Sequence, residues 1–185
     1  MPGVERNVIS LIREQVKTLH EYLEGTMEEV TTEEAHWIPP KSALPIGATY
    51  AHVITGEDAI VNGMFRGQAP LFASSFAAKT GLSEPPPAPD PKKPGFPDWG
   101  QWARTVKVDL PKIRAYAQAV YAATDEYLGR LRGKDLDRTL DLSALGLGEN
   151  SVLYVINNGI LGNGFTHTGE IACLKGLQGK KGYPF

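Results

Sequence analysis

Apolar residues in this chain recur mainly at spacings of three and four residues with charged residues between them, which is the pattern of amphipathic helices. The pattern predicts helical segments over Val4 to Val30, Ile46 to Arg66, Trp99 to Leu131 and Ser151 to Gln178. Asp98 is a good N-cap for the third segment, and Asn150-Ser151 can cap the fourth. The third segment contains Pro111, beside which we expect a kink or break because proline removes an intrahelical donor.

Connectors, one short and two long, separate these segments. Glu33 to Leu44 holds Pro39-Pro40, which forbids further helix, and Gln68 to Pro97 holds the proline-rich run Pro85 to Pro91. Lys134 to Asn150 shows an alternating strand pattern only around Leu140. The sequence therefore predicts an all-α four-helix bundle, a single domain over residues 1–185, with a long proline-rich loop between helices 2 and 3.

The proline-rich loop, Gln68 to Pro97, is too long for a simple turn. Loops of this length in compact domains are generally functional lids or mobile connectors, and the sequence leaves both open. As a lid, the loop is expected to pack over a pocket near His52, with Phe72, Phe76 or Phe96 as apolar cover.

Composition narrows the class of protein. The chain of 185 residues is 42% hydrophobic and 22% charged, as in soluble globular proteins, and its net charge of −2 offers no electrostatic footprint for nucleic acid or an anionic membrane. Cys173 is the single cysteine, so no internal disulfide can form. The N-terminus lacks a secretory apolar region, and no apolar run approaches the roughly 20 residues of a membrane span. We therefore expect a cytoplasmic protein.

Polar residues interrupt the apolar stripes at a few positions. Asn163 and His167 share the inward stripe of the last helix with Ile156, Ile160 and Ile171. Burying such groups without partners costs roughly 1 to 3 kcal/mol each, so they either hydrogen-bond in the core or line a site.

The second helix carries two further unusual residues. His52 lies on a ridge of small residues where a pocket can open or a neighbouring helix can approach, and Glu57 lies on the apolar face. A carboxylate there is usually a partnered residue, but beside a histidine it can also act as an orienting group.

The chemistry of these residues points to a histidine site. His52 and His167 come from different helices, with Asn163 one turn before His167 and Glu170 three residues after it, a set suited to a divalent metal such as zinc or nickel. A catalytic site usually offers three strong ligands, however, and core histidines satisfied by hydrogen bonds are the alternative. The sequence has no cysteine finger, P-loop, dinucleotide fingerprint or Gly-x-Ser-x-Gly elbow. We expect structural roles for His36 and Cys173.

Several motifs, taken in order, resemble the DinB-like superfamily of four-helix bundles across most of the chain. They are Leu44-Pro45-Ile46-Gly47-Ala48-Thr49-Tyr50-Ala51-His52 with Glu57, then Asp135-Leu136-Asp137-Arg138, then His167-Thr168-Gly169-Glu170-Ile171 followed by Leu174-Lys175-Gly176-Leu177. The resemblance implies an up-down-down-up bundle, often dimeric, with a metal held by a histidine of helix 2 and a pair one turn apart near the end of the bundle.

Carried over by position, His52 matches the first of these metal ligands and His167 the last. Asn163 occupies the place four residues earlier, where the family carries His or Glu. A neutral amide oxygen is a poor ligand for zinc or nickel, so we expect weak or no metal in the purified protein unless Glu170 turns inward.

Characterised branches of the superfamily include S-transferases and isomerases that use bacillithiol, mycothiol or glutathione, and some hydrolases. By resemblance, a metal there lowers the pKa of a bound thiol or water. The functional hypotheses are a degenerate metal-dependent transferase-like or hydrolase-like enzyme, a bundle that binds a small ligand in the same pocket without metal, and an interaction module that merely dimerises.

Overall fold

The computed structural model describes residues 7–90 and 92–185, so Val4 and Pro91 lie outside the described residues. Its helices are α1 Val8–Met27, α2 Thr32–His36, α3 Ile46–Asp58, α4 Trp99–Thr105, α5 Leu110–Arg130, α6 Val152–Val155 and α7 Asn163–Leu177. Two π-helical segments, Ala59–Phe65 and Ile156–Gly162, extend α3 and join α6 to α7. Helix α3 packs on α5 and α7, and α1 packs on the same two helices. The predicted all-α four-helix bundle is confirmed.

Residues at the helix ends explain where α1 and α2 begin and stop. The Asn7 side chain accepts a hydrogen bond from the backbone of Ser10 and caps α1. At the other end of α1, the Lys175 ammonium donates to the Thr26 carbonyl at 2.6 Å, which satisfies a carbonyl of the last turn. Thr31 and Glu34 then form a capping box for α2.

The predicted interruption near Pro111 is a complete break between two helices. Helix α4 ends at Thr105, and α5 begins at Leu110 after Asp109, whose side chain accepts from the backbone of Lys112. Pro111 therefore lies in the first turn of α5, where its missing N–H costs no intrahelical bond. Asp98 caps α4 as predicted, by accepting from Gly100 and Gln101.

The connector after α5 contains a short antiparallel hairpin. Strand β1, Thr139–Asp141, pairs with β2, Glu149–Ser151, and Leu140 lies opposite Asn150. The sequence predicted strand character around β1 but not β2, because three residues that include Glu149 and Asn150 show no apolar alternation. Ser151 ends β2 and also caps α6 through its hydroxyl.

Close helix contacts depend on two glycines of the last helical segment. A Cβ atom built at Gly159 would lie 2.9 Å from Ile60 Cδ1, so the two π-helical segments pack directly against each other. A Cβ atom at Gly164 would lie 2.5 Å from Cδ2 of the fully buried Leu19, so α7 approaches α1 closely. π-Helical segments are rare and often occur at functional sites, and here one of them leads directly into Asn163.

The proline-rich loop is attached to the bundle near its start and again around Leu82. At its start, the carboxylate of buried Asp58 accepts from the backbone N–H groups of Leu71 and Phe72 and from the hydroxyl of Tyr116. Further along, Leu82 forms a β-bridge with Val108. The structure describes no helix long and apolar enough to cross a membrane within residues 7–90 and 92–185.

Candidate functional site

The structure brings His52 and His167 together across the bundle, with Asn163 beside them. The two imidazole rings lie edge to face, with their centroids 4.9 Å apart. Asn163 Nδ2 lies 3.3 Å from His52 Nε2, which is within hydrogen-bond distance. Helix α3 supplies His52 and helix α7 supplies the other two side chains, as the inward stripes of these helices predicted.

His167 is oriented by a carboxylate of its own helix. Its Nδ1 donates to Glu170 Oε2 at 2.6 Å, and Glu170 lies at the surface. This bond places a proton on Nδ1 and fixes the orientation of the ring. Glu170 thus touches His167, and its carboxylate is used in that contact instead of turning toward His52.

His52 is largely removed from water. Its ring packs edge to face on Trp99, with the centroids 4.1 Å apart. Burial lowers the pKa of His52 to about 4, and the neighbouring His167 contributes a smaller lowering. The imidazole is therefore neutral at pH 7. With Asn163 Nδ2 donating to its Nε2, the ring carries its proton on Nδ1.

A pocket of about 220 Å³ lies beside these residues. It is lined by Leu44, Ala48, Thr49, His52, Trp99, Trp102, Ala103 and His167. Two buried nitrogens of this lining, His52 Nδ1 and Trp102 Nε1, have no hydrogen-bond partner among the residues that the structure describes. Both atoms are N–H donors, so two residues of the pocket wall, which is largely aromatic and aliphatic, each carry an unsatisfied buried donor.

The aromatic cover of this pocket differs from the expected one. Trp99 and Trp102, which follow the proline-rich loop, form its wall. Phe72 and Phe76 instead pack against the hydrophobic core, and Phe96 is 68% exposed. These three phenylalanines, expected as apolar cover only if the loop is a lid, are not among the residues that line the pocket.

Glu57 lies on another side of its helix from His52. Its carboxylate, 2% exposed, accepts from the Thr124 hydroxyl at 2.6 Å and lies 3.0 Å from His20 Nε2 at both oxygens. Five residues separate Glu57 from His52, which turns the two side chains about 140° apart around a helix of 3.6 residues per turn. The expectation that Glu57 orients His52 is corrected accordingly, since Glu57 orients His20.

The sequence analysis missed His20 and the network around it. The His20 ring stacks on Tyr121 with centroids 3.8 Å apart, and Glu24 Oε1 accepts from the hydroxyls of Tyr50 and Tyr121 at 2.7 Å each. Burial, followed by the charge of Glu24, raises the pKa of Tyr50 well above its usual range. A detectable signal existed, because His20 and Glu24 lie four and eight residues after Val16 on the buried stripe of α1.

His36 and Cys173, for which structural roles were expected, lie outside the His52 pocket. His36 Nδ1 is 2.7 Å from the Thr32 carbonyl, and its Nε2 accepts from the backbone N–H of Val108. Cys173 is exposed and lies on a different face of α7 from His167.

The donor set at the His52 pocket does not match a strong catalytic metal centre. Two imidazoles and one amide converge there, and the described part of the chain contains no group of three or more His, Cys, Asp or Glu placed to hold a metal ion. Catalytic zinc sites generally use three strong protein ligands. The residues present therefore do not fit such a metal.

Fold and site together define a helical-bundle protein with a histidine-lined pocket between facing helices. A family model described as the DinB superfamily matches residues 15–160. The chain belongs to the DinB superfamily, which confirms the resemblance seen in its motifs.

A solved structure supports the same fold. The crystal structure of a conserved protein from Enterococcus faecalis superposes with a TM-score of 0.75 at 20% sequence identity, covering 95% of this chain and 99% of that one. At this identity the likeness concerns the fold alone. No curated protein matches the sequence.

Proposed function

We propose that this protein binds a small molecule in the His52 pocket and that the ligand accepts hydrogen bonds from His52 and Trp102. The observation that carries the proposal is the pair of buried N–H groups without partners, both on residues that line one pocket. An unsatisfied buried donor costs about 1 to 3 kcal/mol, so two of them beside one cavity favour an acceptor that satisfies both.

The pocket limits the chemistry of this ligand. Its walls are mostly aromatic and aliphatic, and its imidazole at position 52 is neutral at pH 7 because burial lowers the pKa of His52 to about 4. A volume of about 220 Å³ is below the range of about 300 to 1,000 Å³ usual for drug-sized ligands. These properties favour a compact molecule with one planar apolar part and a carbonyl or carboxylate oxygen.

A metal-dependent enzyme, a degenerate thiol S-transferase or hydrolase, is the second candidate. The hydrogen bond between His167 Nδ1 and Glu170 supports it, because metal-binding histidines commonly donate their other ring nitrogen to a carboxylate. His52 and His167 would be the ligands of zinc or nickel, with the Asn163 oxygen as a weak third. The missing third strong ligand makes this candidate the weaker one.

Thermal unfolding in the presence of benzamide, with toluene as the apolar control, tests the first candidate. We expect benzamide to raise the melting temperature and toluene to have a smaller effect, because toluene has no acceptor oxygen. Trp102→Phe removes one unsatisfied donor, so this variant should bind benzamide more weakly than the parent. Trp99→Phe is the matched control, because the Trp99 nitrogen is not among the unsatisfied buried donors.

Three results would contradict the proposal. These are an unchanged melting temperature with benzamide, an equal effect of toluene, and a full benzamide response in Trp102→Phe. Elemental analysis of the purified parent addresses the second candidate, since stoichiometric zinc or nickel would make the metal-dependent enzyme the leading hypothesis.

A further inference from the structure

A groove of about 850 Å³ lies between α1 and α5 and is formed by other residues than those of the His52 pocket. The side chains that matter for its chemistry are Arg13, Lys17, His20, Glu21, Glu24 and Tyr121. The stacked rings of His20 and Tyr121 form part of its wall. The groove thus combines aromatic surface with charged groups of both signs.

Most charges in the groove already have partners of opposite sign. Arg13 pairs with Asp125 at 2.8 Å, and Lys17 pairs with Glu21 at 3.7 Å. Glu24 differs, since no ion pair involves it within residues 7–90 and 92–185, and its Oε1 accepts hydrogen bonds from the hydroxyls of Tyr50 and Tyr121. Glu24 Oε2 therefore has acceptor capacity left.

His20 adds a second polar group one helical turn before Glu24. Its Nε2 is held by the buried Glu57 carboxylate, so its Nδ1 is the nitrogen left for a ligand, and no described residue bonds to that Nδ1. Residues four apart lie side by side on a helix, which puts His20 and Glu24 within reach of one small group.

Carboxylates outnumber the basic side chain in this cluster, because His20 lies between Glu57 and Glu24. Arg114 directs its guanidinium to the Met27 carbonyl at 2.7 Å instead of forming an ion pair with Glu24. A partly buried site with excess negative charge and a free carboxylate oxygen attracts a cation that can donate hydrogen bonds.

We propose that the groove between α1 and α5 binds a primary ammonium group, held by Glu24 and lying beside His20. An alkyl chain on the ammonium would lie along Val16, Ala122 and Leu128, which also line the groove. The ligand class is therefore a small primary amine with an apolar chain. The proposal uses no residue of the His52 pocket, so it stands or fails separately from the proposed function.

NMR titration of the full chain with n-butylamine at pH 8 tests the proposal, because the amine is protonated there. We expect n-butylamine to shift the ring resonances of His20 and to leave those of His52 and His167 unchanged. n-Butanol and butyrate have similar chains without the positive charge and should not shift His20. Failure of n-butylamine to shift His20 at millimolar concentration, or an equal shift with n-butanol, would overturn the proposal.

Two variants sharpen the test. Glu24→Gln keeps an amide oxygen for the tyrosine hydroxyls but removes the charge, and we expect affinity for n-butylamine to fall at least about tenfold. Glu21→Gln is the matched control for loss of one negative charge, since Glu21 lies in the same groove but is exposed and pairs with Lys17, and its affinity should fall much less than that of Glu24→Gln. Retained affinity in Glu24→Gln, or an equal loss in Glu21→Gln, contradicts the assignment. The titration of the parent decides the matter if Glu24→Gln does not fold.

Discussion

Replacing Gly164 with alanine tests how tightly α7 packs on α1. The added Cβ would lie 2.5 Å from Leu19 Cδ2 and 2.8 Å from Leu19 Cδ1, whereas carbon atoms in contact prefer about 3.5 to 4.0 Å. Leu19 is 0% exposed, so its side chain has no solvent-filled space into which to move. The helices must shift by about 1 Å or Leu19 must leave its rotamer, and such overpacking costs about 1 to 3 kcal/mol.

A second glycine separates this packing cost from helix propensity. Alanine in place of glycine stabilises a helix interior by about 1 kcal/mol, so the net effect of Gly164→Ala is a loss of up to about 2 kcal/mol. Gly56→Ala, in α3, meets no atom within 4 Å and should stabilise the protein by up to about 1 kcal/mol. Urea unfolding of both variants measures the difference, which we expect to be about 1 to 3 kcal/mol.

A double-mutant cycle with Leu19→Ala tests whether the Gly164→Ala methyl group clashes with the Leu19 side chain. Leu19→Ala alone should cost about 2 to 5 kcal/mol, because it leaves a cavity in the core. Combined with Gly164→Ala, it should cost less than the sum of the two single changes, since the new methyl group occupies part of that cavity. Stabilisation by Gly164→Ala equal to that by Gly56→Ala, or strict additivity in the double variant, would refute the close approach of α7 to α1.

Four further predictions concern the pocket and the surface. Asn163→His places two imidazoles at i and i+4 facing His52, so zinc or nickel should bind far more tightly than in the parent by calorimetry; stoichiometric metal in the parent with no gain in the variant would contradict this. Burial lowers the pKa of His52 to about 4, against about 6.5 in the unfolded chain, so the unfolded state binds the extra proton between these values. The free energy of unfolding should therefore keep its full value above pH 6.5 and fall by up to about 3 kcal/mol as pH drops toward 4. Acid unfolding followed by circular dichroism measures this decline, and His52→Gln should flatten it. An unchanged slope in the variant would show that His52 titrates normally. Deleting Pro85 to Pro91 should leave benzamide binding unchanged, because Trp99 and Trp102 form the pocket wall; lost binding with an intact fold would identify the loop as a lid. Cys173→Ala should change the free energy of unfolding by less than about 0.5 kcal/mol in thermal melts, as expected at an exposed position, and loss of ligand binding would reveal a role for the thiol.

The long helices were predictable because each carries a continuous apolar stripe. Helix α5 shows this with Ile113, Tyr116 and Val120, which are all fully buried. The position of the break before Pro111 was predictable, because proline is excluded from the interior of a helix but accepted in its first turn. The π-helical segments were not predictable, because seven residues such as Ala59–Phe65 are too few to distinguish the π-helical from the α-helical period.

The pocket was predictable only in part. His52, Asn163 and His167 lie on inward stripes, and two stripes on adjacent helices of a bundle must face each other. The tryptophan wall depends on how the chain returns from the proline-rich loop, which no periodicity encodes. The partner of Glu57 depends on the rotation of α1 about its axis, and a stripe with two neighbouring polar positions, His20 and Glu24, leaves that rotation open.

The attachment of the proline-rich loop has a practical consequence for engineering. Asp58 fixes its beginning through Leu71 and Phe72, and the bridge between Leu82 and Val108 fixes its middle. Ser83 and Glu84 continue this attachment through hydrogen bonds with Lys107 and Thr105, and the proline run begins directly after them. Loop-closure entropy rises only slowly with length. A reporter domain or affinity tag inserted near Pro87 should thus leave the bundle intact, which makes this position a convenient handle for immobilising the protein.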